Sequence, residues 1–124
     1  MKSDKNQNGS KIEEHISDKI TKRSDYIRVS TGSNTRTPSL HLQKFNRKDE
    51  GIPRYGITAT KKIGIAVNRN KAKRRLRHAI KEILPKLGKN GYDYVVVATK
   101  NTNILPWEVI KSDLEKAFKE SSNE

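Results

Sequence analysis

The clearest pattern in the chain is an apolar stripe with the period of an α-helix, between about residue 68 and Leu87. Apolar residues recur there at intervals of three and four, which places them on one face of a helix. Gly88 and Gly91 follow and predict the end of the helix. The stripe is therefore predicted to pack against the rest of the fold. Its members are Ala72, Leu76, Ala79, Ile80, Ile83, Leu84 and Leu87.

Other segments have the period-two alternation of strands. Residues 40–43 and 54–62 alternate apolar with polar residues, and residues 92–99 are rich in β-branched and aromatic residues. The two faces of 54–62 differ in chemistry, because successive side chains of a strand point to opposite sides. The polar segments 32–38 and 46–53 are predicted to be loops. In 54–62 one face is apolar, with Tyr55, Ile57 and Ala59, and the other is small and polar, with Gly56, Thr58, Thr60 and Lys62.

Two further helices are predicted on either side of this pattern. Ser24 is a suitable N-cap for a short helix that has Asp25 in its first turn. Pro106 opens a last helix, because proline is favoured at the first helical position. The element order α-β-β-α-β-α predicts an α/β (α+β) two-layer sandwich on one sheet. The inward residues of the last helix are Trp107, Ile110, Leu114, Ala117 and Phe118.

The first residues of the chain do not take part in this pattern. Residues 1–15 are polar and show no sustained period, which predicts a disordered N-terminal tail. The remainder, residues 16–124, is short enough to be one domain. Only 31% of the 124 residues are hydrophobic, so we expect a small core.

The charge of the chain is concentrated in one segment. The whole chain has 27 Lys and Arg against 14 Asp and Glu, a net charge of +13, while residues 61–81 contain nine Lys or Arg and no acidic residue. Cations in the first turn of a helix oppose its dipole, and like charges three or four residues apart repel. Stability alone would not favour this pattern, whereas a phosphate-bearing partner would reverse each of these effects. Nucleic acid is the expected partner; the alternative is a solvated charged face.

Several classes of protein are excluded by what the sequence lacks. It has no cysteine, which excludes disulfide scaffolds and thiolate metal sites. The apolar run 95–98 is far shorter than the roughly 20 residues that span a bilayer, so we expect no membrane partner and a cytoplasmic protein. No phosphate-binding glycine motif, acid–base pair or histidine cluster indicates a small-molecule substrate or a metal site. The histidines are His15, His41 and His78, and the acidic pairs are Glu13-Glu14 and Asp49-Glu50.

The basic segment also carries a recognisable motif. Residues 60–64 read TKKIG, and residues 66–77 read AVNRNKAKRRLR. This order resembles the signature of the bacterial ribonuclease P protein component, in which a Ser/Thr-Lys-Lys-x-Gly strand end precedes an Ala-Val-x-Arg-Asn-Arg-x-Lys-Arg helix. The resemblance implies a fold of the ribosomal protein S5 domain 2-like type, with a left-handed βαβ crossover where general rules favour a right-handed one.

The resemblance also implies a function. The protein would join a catalytic RNA, and the complex would remove the 5′ leader of precursor tRNA, with the chemistry supplied by the RNA and its Mg²⁺ ions and no cofactor held by the protein. The positions that match the signature would contact the catalytic RNA; they are Arg69, Asn70, Lys71, Lys73, Arg74, Arg75 and Arg77. The positions that would contact the leader are Tyr26, Thr58, Thr60, Lys61 and Lys62.

Three positions depart from the family pattern. Lys71 replaces an arginine, which keeps the charge but loses bidentate geometry. Ile65 replaces the asparagine that commonly follows the glycine, and Ser30 replaces a second aromatic residue of the cleft. Two aromatic residues also have structural alternatives. Tyr26 could be a half-buried packing residue, and Trp107 is expected to anchor its helix to the sheet rather than to stack on a base.

Two other functions are compatible with parts of the sequence. A structural RNA-binding protein of ribosomal type would share the fold and the charge, but it would leave the cleavage of precursor tRNA unchanged. A stand-alone nuclease would need its own acid–base or metal constellation, and the sequence offers none. The ribonuclease P interpretation is therefore preferred.

Overall fold

The computed structural model describes residues 17–121, which form one mixed sheet with helices packed on both of its faces. The predicted tail, residues 1–15, lies outside the described residues. The strands are β1 (Asp18–Lys19), β2 (Ser33–Arg36), β3 (Leu40–Asn46), β4 (Arg54–Thr58) and β5 (Tyr92–Ala98). The helices are α1 (Arg23–Ser30), α2 (Ala66–Leu87) and α3 (Trp107–Ser121), with a single 3₁₀ turn at Lys61–Ile63.

The order of the strands in the sheet is β1-β4-β5-β3-β2. β5 is parallel to β4 and antiparallel to β3, and α2 is the crossover between β4 and β5. Val96 of β5 is paired with Ile57 on one side and with Leu42 on the other. β5 is thus an inner strand in which most side chains are buried, which explains why its sequence is the most continuously apolar of the five.

The larger core lies between one face of the sheet and the helices α2 and α3. Alternate residues of the inner strands, among them Leu42 and Val96, point into it and are fully buried. The apolar stripe predicted from the sequence faces them: its first six residues are buried, and Leu87 packs against the edge of the cluster. One five-stranded sheet combined with three helices confirms the predicted α/β fold class.

A smaller core lies on the opposite face of the sheet. Val95 points to this side and packs with Val29 of α1 and with Ile20. Because α1 has only eight residues, it covers part of this face and leaves the rest open. This partial cover leaves a groove between the helix and the open part of the sheet.

The observed strands differ from those predicted from the sequence. Segment 32–38, predicted to be a loop, contains β2, which pairs with β3 at the edge of the sheet. β1 was not predicted; it has only two residues and is held by parallel pairing with β4. The strand predicted at 54–62 ends at Thr58, and the strand predicted at 40–43 continues to Asn46. Both differences arise because pairing with a neighbouring strand, and not side-chain polarity, decides where a strand ends.

The helix boundaries also differ in detail. Ser24 is not the N-cap of α1: Lys22 precedes the helix and no side chain caps it, although Asp25 does lie in the first turn. α2 begins at Ala66, two residues before the predicted start, and ends at Leu87 as predicted. Trp107 is half-buried at the edge of the larger core. Its ring also contacts the ring of His78 on α2.

Replacement of Leu76 by alanine tests the packing of α2. Leu76 is fully buried in the larger core, so Leu76→Ala is expected to lower the free energy of unfolding by about 2–4 kcal/mol through lost contacts and a residual cavity. The matched control is Val67→Ala on the same helix, because the Val67 side chain is 70% exposed. Chemical denaturation of both variants measures the difference, and equal stabilities would contradict the packing of the stripe.

Candidate nucleic-acid interface

Helix α2 presents a stripe of exposed polar and basic side chains on the side away from the core. Asn70, Arg74, Arg77 and Lys81 are all exposed and follow one another at intervals of four, three and four residues. This spacing keeps them on one face of the helix, over a length of about 16 Å. We call these four residues the basic stripe. Within residues 17–121, no Lys or Arg of segment 61–81 forms an ion pair with an acidic side chain.

The turn that leads into α2 adds positive potential at one end of the stripe. The Thr60 side chain accepts a hydrogen bond from the Lys62 backbone N–H at 3.3 Å and caps the 3₁₀ turn, in which Lys61 and Lys62 are both exposed. Gly64 follows with φ +125°, a conformation that glycine adopts readily. Thr60 and Lys62 therefore lie in a turn. The sequence predicted that they extend the polar face of β4, and this prediction is wrong.

The N-terminus of α2 is itself electropositive. Ile65 is the residue before the first helical turn, and no side chain caps the free backbone N–H groups there. The first turn contains no acidic residue. Arg69 is half-buried, and its Nη1 donates a hydrogen bond to the Gly64 carbonyl oxygen at 2.8 Å. The helix dipole and the neighbouring cations consequently act in the same direction, toward the binding of an anion.

Arg75, which the resemblance places among the RNA contacts, is used within the fold. Its guanidinium donates two hydrogen bonds, from Nη1 to the Thr102 carbonyl oxygen at 2.7 Å and from Nη2 to the Leu105 carbonyl oxygen at 2.9 Å. These bonds fasten the loop before α3 to the side of α2. Sequence reasoning had no signal for this role, because the loop carbonyls are remote in sequence. Of the seven signature residues, Asn70, Lys71, Arg74 and Arg77 are exposed, while Arg69, Lys73 and Arg75 are half-buried.

A groove lies on the opposite face of the sheet, beside α1. Tyr26 of α1 is half-buried and its ring lies directly over Gly56 of β4, where an added Cβ would come within 2.6 Å of the ring. The Tyr26 hydroxyl is 3.4 Å from the Ile20 carbonyl oxygen, which is long for a hydrogen bond. Only glycine at position 56 allows this close packing. Tyr26 therefore packs against the sheet and still has part of its ring exposed to solvent.

The open part of this face is a row of four residues on neighbouring strands. Thr58 is paired with Val97, Val97 with His41, and His41 with Arg36, so that the row crosses β4, β5, β3 and β2. Burial lowers the pKa of His41, and the positive charge of Arg36 lowers it further, so the imidazole is neutral at pH 7. The sequence predicted Tyr26 and Thr58 on this surface. It missed Arg36 because β2 could not be recognised, and it missed His41 because the sequence does not reveal the order of the strands in the sheet.

An ion-pair network holds α1 and the end of the sheet together. The Asp93 carboxylate is fully buried and accepts hydrogen bonds from Arg54 at 2.7 and 2.8 Å and from Arg47 at 2.6 Å. Arg54 also lies 3.5 Å from Asp25 of α1. Burial alone would raise the pKa of Asp93, but the hydrogen bonds from the two arginines outweigh it and hold the pKa below its ordinary value. The network thereby positions the helix that carries Tyr26.

Among residues 17–121, no three His, Asp or Glu side chains lie close enough together to hold a metal ion. Asp49 is exposed and paired with Arg47, whereas Glu13-Glu14 lies outside the described residues. No helix within the same part of the chain has the length and apolar character that a bilayer span requires. The two polar surfaces described above are the candidate sites.

Comparisons with known proteins agree on one family. The family model "Ribonuclease P" matches residues 16–122. A ribonuclease P protein component of Ruegeria pomeroyi is 38% identical over 104 residues, which cover 81% of this chain and 82% of the relative. One from Bacillus cereus is 30% identical and covers 83% and 90%. The solved Staphylococcus aureus RNase P protein has a TM-score of 0.70 at 28% identity, covering 83% of this chain and 94% of that one. The Thermotoga maritima protein has a TM-score of 0.66 at 22% identity and supports the fold alone.

Replacement of Asp93 by asparagine tests the network. The pKa of Asp93 is lower in the folded protein than in the unfolded chain, where it is about 3.9. The ionised Asp93 therefore adds to the free energy of unfolding above that pH, and this contribution is lost as the pH falls toward the folded-state pKa. Asp93→Asn is expected to cost about 2–4 kcal/mol at pH 7, since Arg54 is partly exposed, and to reduce the loss of stability on acidification. Denaturation at pH 7 and pH 3 measures both effects, and an unchanged pH profile would contradict the assignment.

Proposed function

Since the chain belongs to the ribonuclease P protein component family, we propose that it binds the catalytic RNA of ribonuclease P through α2 and the 5′ leader of precursor tRNA through the groove beside α1. The observation that carries the first part is the basic stripe, whose exposed cations form no ion pair with any acidic side chain of residues 17–121. Phosphates are the groups that would neutralise it. The second part is supported by the groove, which combines an aromatic ring with polar residues.

The two surfaces have the chemistry that suits two different kinds of RNA. The stripe offers charge along one line, which suits the phosphates of a folded RNA and gives no base specificity. The groove offers the exposed part of Tyr26 and the row that ends in Arg36, which suits the bases and phosphates of a single strand. Because they lie on opposite sides of the sheet, a folded RNA and a single strand could be bound at the same time.

In this proposal the protein contributes binding and not bond cleavage. Phosphodiester hydrolysis is carried out by the RNA with its Mg²⁺ ions, and the described part of the chain has no ligand set for such an ion. The protein lowers the repulsion between two polyanions, and it fixes the leader so that the cleavage point lies at the RNA active centre. Such a complex works in the cytoplasm, where precursor tRNA is the substrate.

Reconstitution with the cognate catalytic RNA tests the function. At low Mg²⁺ concentration, where RNA alone is slow, the protein is expected to raise the rate of precursor tRNA cleavage. A variant with Arg77→Ala and Lys81→Ala is expected to bind the catalytic RNA more weakly and to reduce the slope of log affinity against log salt by about two. Lys116→Ala, which removes one exposed cation from α3, serves as the control.

The outcome separates the alternatives. Tight, salt-dependent binding without any change in cleavage would favour a structural RNA-binding protein of ribosomal type. Equal salt slopes for the wild type and the double variant would show that the stripe does not contact phosphates. Thermal unfolding of each variant shows whether the fold is intact, which we expect because Arg77 and Lys81 lie outside the core.

Tyr26 provides a test of the groove. Tyr26→Ala is expected to weaken binding of precursor tRNA by about fivefold or more, on the scale of one stacked base, and to leave binding of mature tRNA nearly unchanged. Tyr26→Phe keeps the ring and is expected to resemble the wild type, because the hydroxyl makes only the long contact to Ile20. Affinities of the reconstituted complex for both tRNAs provide the measurement. Equal losses for the two tRNAs would remove Tyr26 from the leader site.

A further inference from the structure

A hollow lies between α2 and α3, on the side of the molecule away from the groove. It is lined by Arg74, Arg75, His78 and Trp107. Trp107 is the first residue of α3, and its ring centroid is 4.9 Å from that of His78, with 36° between the ring planes. We call it the aromatic hollow. The proposed function uses Arg74, which also belongs to the basic stripe, but it does not use the indole ring of Trp107.

The packing of the fold does not account for every side chain of this hollow. Arg75 is occupied by the loop carbonyls, but Arg74 is exposed and forms no hydrogen bond or ion pair within residues 17–121. Trp107 is half-buried, and its indole N–H donates no hydrogen bond to any residue in the described part of the chain. A purely apolar side chain could fill the buried part of this position. The exposed part of Trp107 therefore lies beside Arg74, a cation that has no ion-pair partner within residues 17–121.

The charges around the hollow favour an anionic ligand. The lining itself contains two arginines and no acidic residue. The acidic residues nearest in sequence are Glu108, which follows Trp107 in the first turn of α3, and Glu82, which lies one turn beyond His78 and 3.7 Å from Lys111 of α3. Lys111 thus offsets the negative charge of Glu82, which would repel an anion. Arg74 belongs both to the hollow and to the basic stripe. An RNA strand whose phosphates bind along the stripe would therefore come close to Trp107.

We propose that the aromatic hollow binds one unpaired nucleotide of the RNA partner, with its base stacked on Trp107 and its phosphate on Arg74. The proposal rests on the proposed function only in taking RNA as the partner. A stacked base with a phosphate contact matches a ring beside a cation, and unpaired nucleotides of a folded RNA expose both groups. The hollow then adds a contact to bases, which the basic stripe lacks.

Trp107 is the only tryptophan in the chain, and its fluorescence reports on the hollow directly. Titration of the full chain with a single-stranded oligoadenylate of about six nucleotides is expected to quench this fluorescence, because a base stacks on the indole. An abasic oligonucleotide of the same length keeps the phosphates and is expected to quench little. Equal quenching by both, or none by either, would overturn the proposal.

Two variants make the test specific. Arg74→Ala keeps the fluorophore and is expected to shift the midpoint of quenching to a severalfold higher concentration of oligoadenylate, whereas Lys116→Ala is expected to leave it in place. Trp107→Leu keeps apolar packing but loses the ring, and it is expected to weaken binding of the catalytic RNA by about fivefold or more. Trp107→Phe is expected to retain most of the affinity. Affinity of Trp107→Leu equal to that of the wild type would overturn the proposal.

The failure of this proposal can be distinguished from the failure of the proposed function. The catalytic RNA could bind with strong salt dependence and raise cleavage while oligoadenylate leaves the Trp107 fluorescence unchanged. That result would exclude the hollow as a nucleotide site and leave the proposed function intact. If the catalytic RNA does not bind, the proposed function fails. If thermal denaturation shows that Trp107→Leu is unfolded, two experiments that keep Trp107 still test the proposal. These are the comparison of oligoadenylate with the abasic oligonucleotide and the titration of Arg74→Ala.

Discussion

Burial of the apolar side of α2 is the constraint on which the other features depend. Leu76, Ile80 and Ile83 are completely enclosed between the sheet and α3, so the helix cannot rotate about its axis without exposing them. Since a helix has a fixed angle between successive residues, the orientation of every cation on α2 follows from this burial. Arg77 must point outward, and Arg75 must point toward α3. The same sequence of charges would have no defined geometry on an isolated helix, which gains its stability from such packing.

The two polar surfaces have different mechanical support. The basic stripe belongs to a 22-residue helix fixed by a core, which makes it a rigid surface. The groove depends on α1, a helix of eight residues with one fully buried side chain, and on the ion pairs that join Arg54 to Asp93 and Asp25. Those pairs bring no apolar burial, but they fix orientation because a buried carboxylate with two arginines admits few geometries. A change at Asp93 is therefore expected to reach Tyr26 through α1 without altering α2.

The sequence allowed prediction of features that depend on local periodicity, and it failed where tertiary contacts decide. The stripe of α2, the apolar β5 and the inward face of α3 were predicted because burial imposes a period on neighbouring residues. The polar strand β2 has no such signal, since pairing with β3 alone defines it. The fastening of the loop by Arg75 and the packing of Tyr26 on Gly56 join residues remote in sequence. For the same reason the motif could not predict that Arg75 is already engaged in the fold.

The charge arrangement has an energetic consequence that links binding with stability. The first turn of α2 has no acidic residue and no side-chain cap, and several cations lie within one or two turns of each other. Each of these features destabilises the free protein by a fraction of a kcal/mol, and the larger core compensates for the total. A bound phosphate chain would remove the same penalties, because it supplies negative charge and hydrogen-bond acceptors where the helix lacks them. Binding of a polyanion would then stabilise the folded chain by mass action, and the relief of charge repulsion in α2 would be part of the binding free energy.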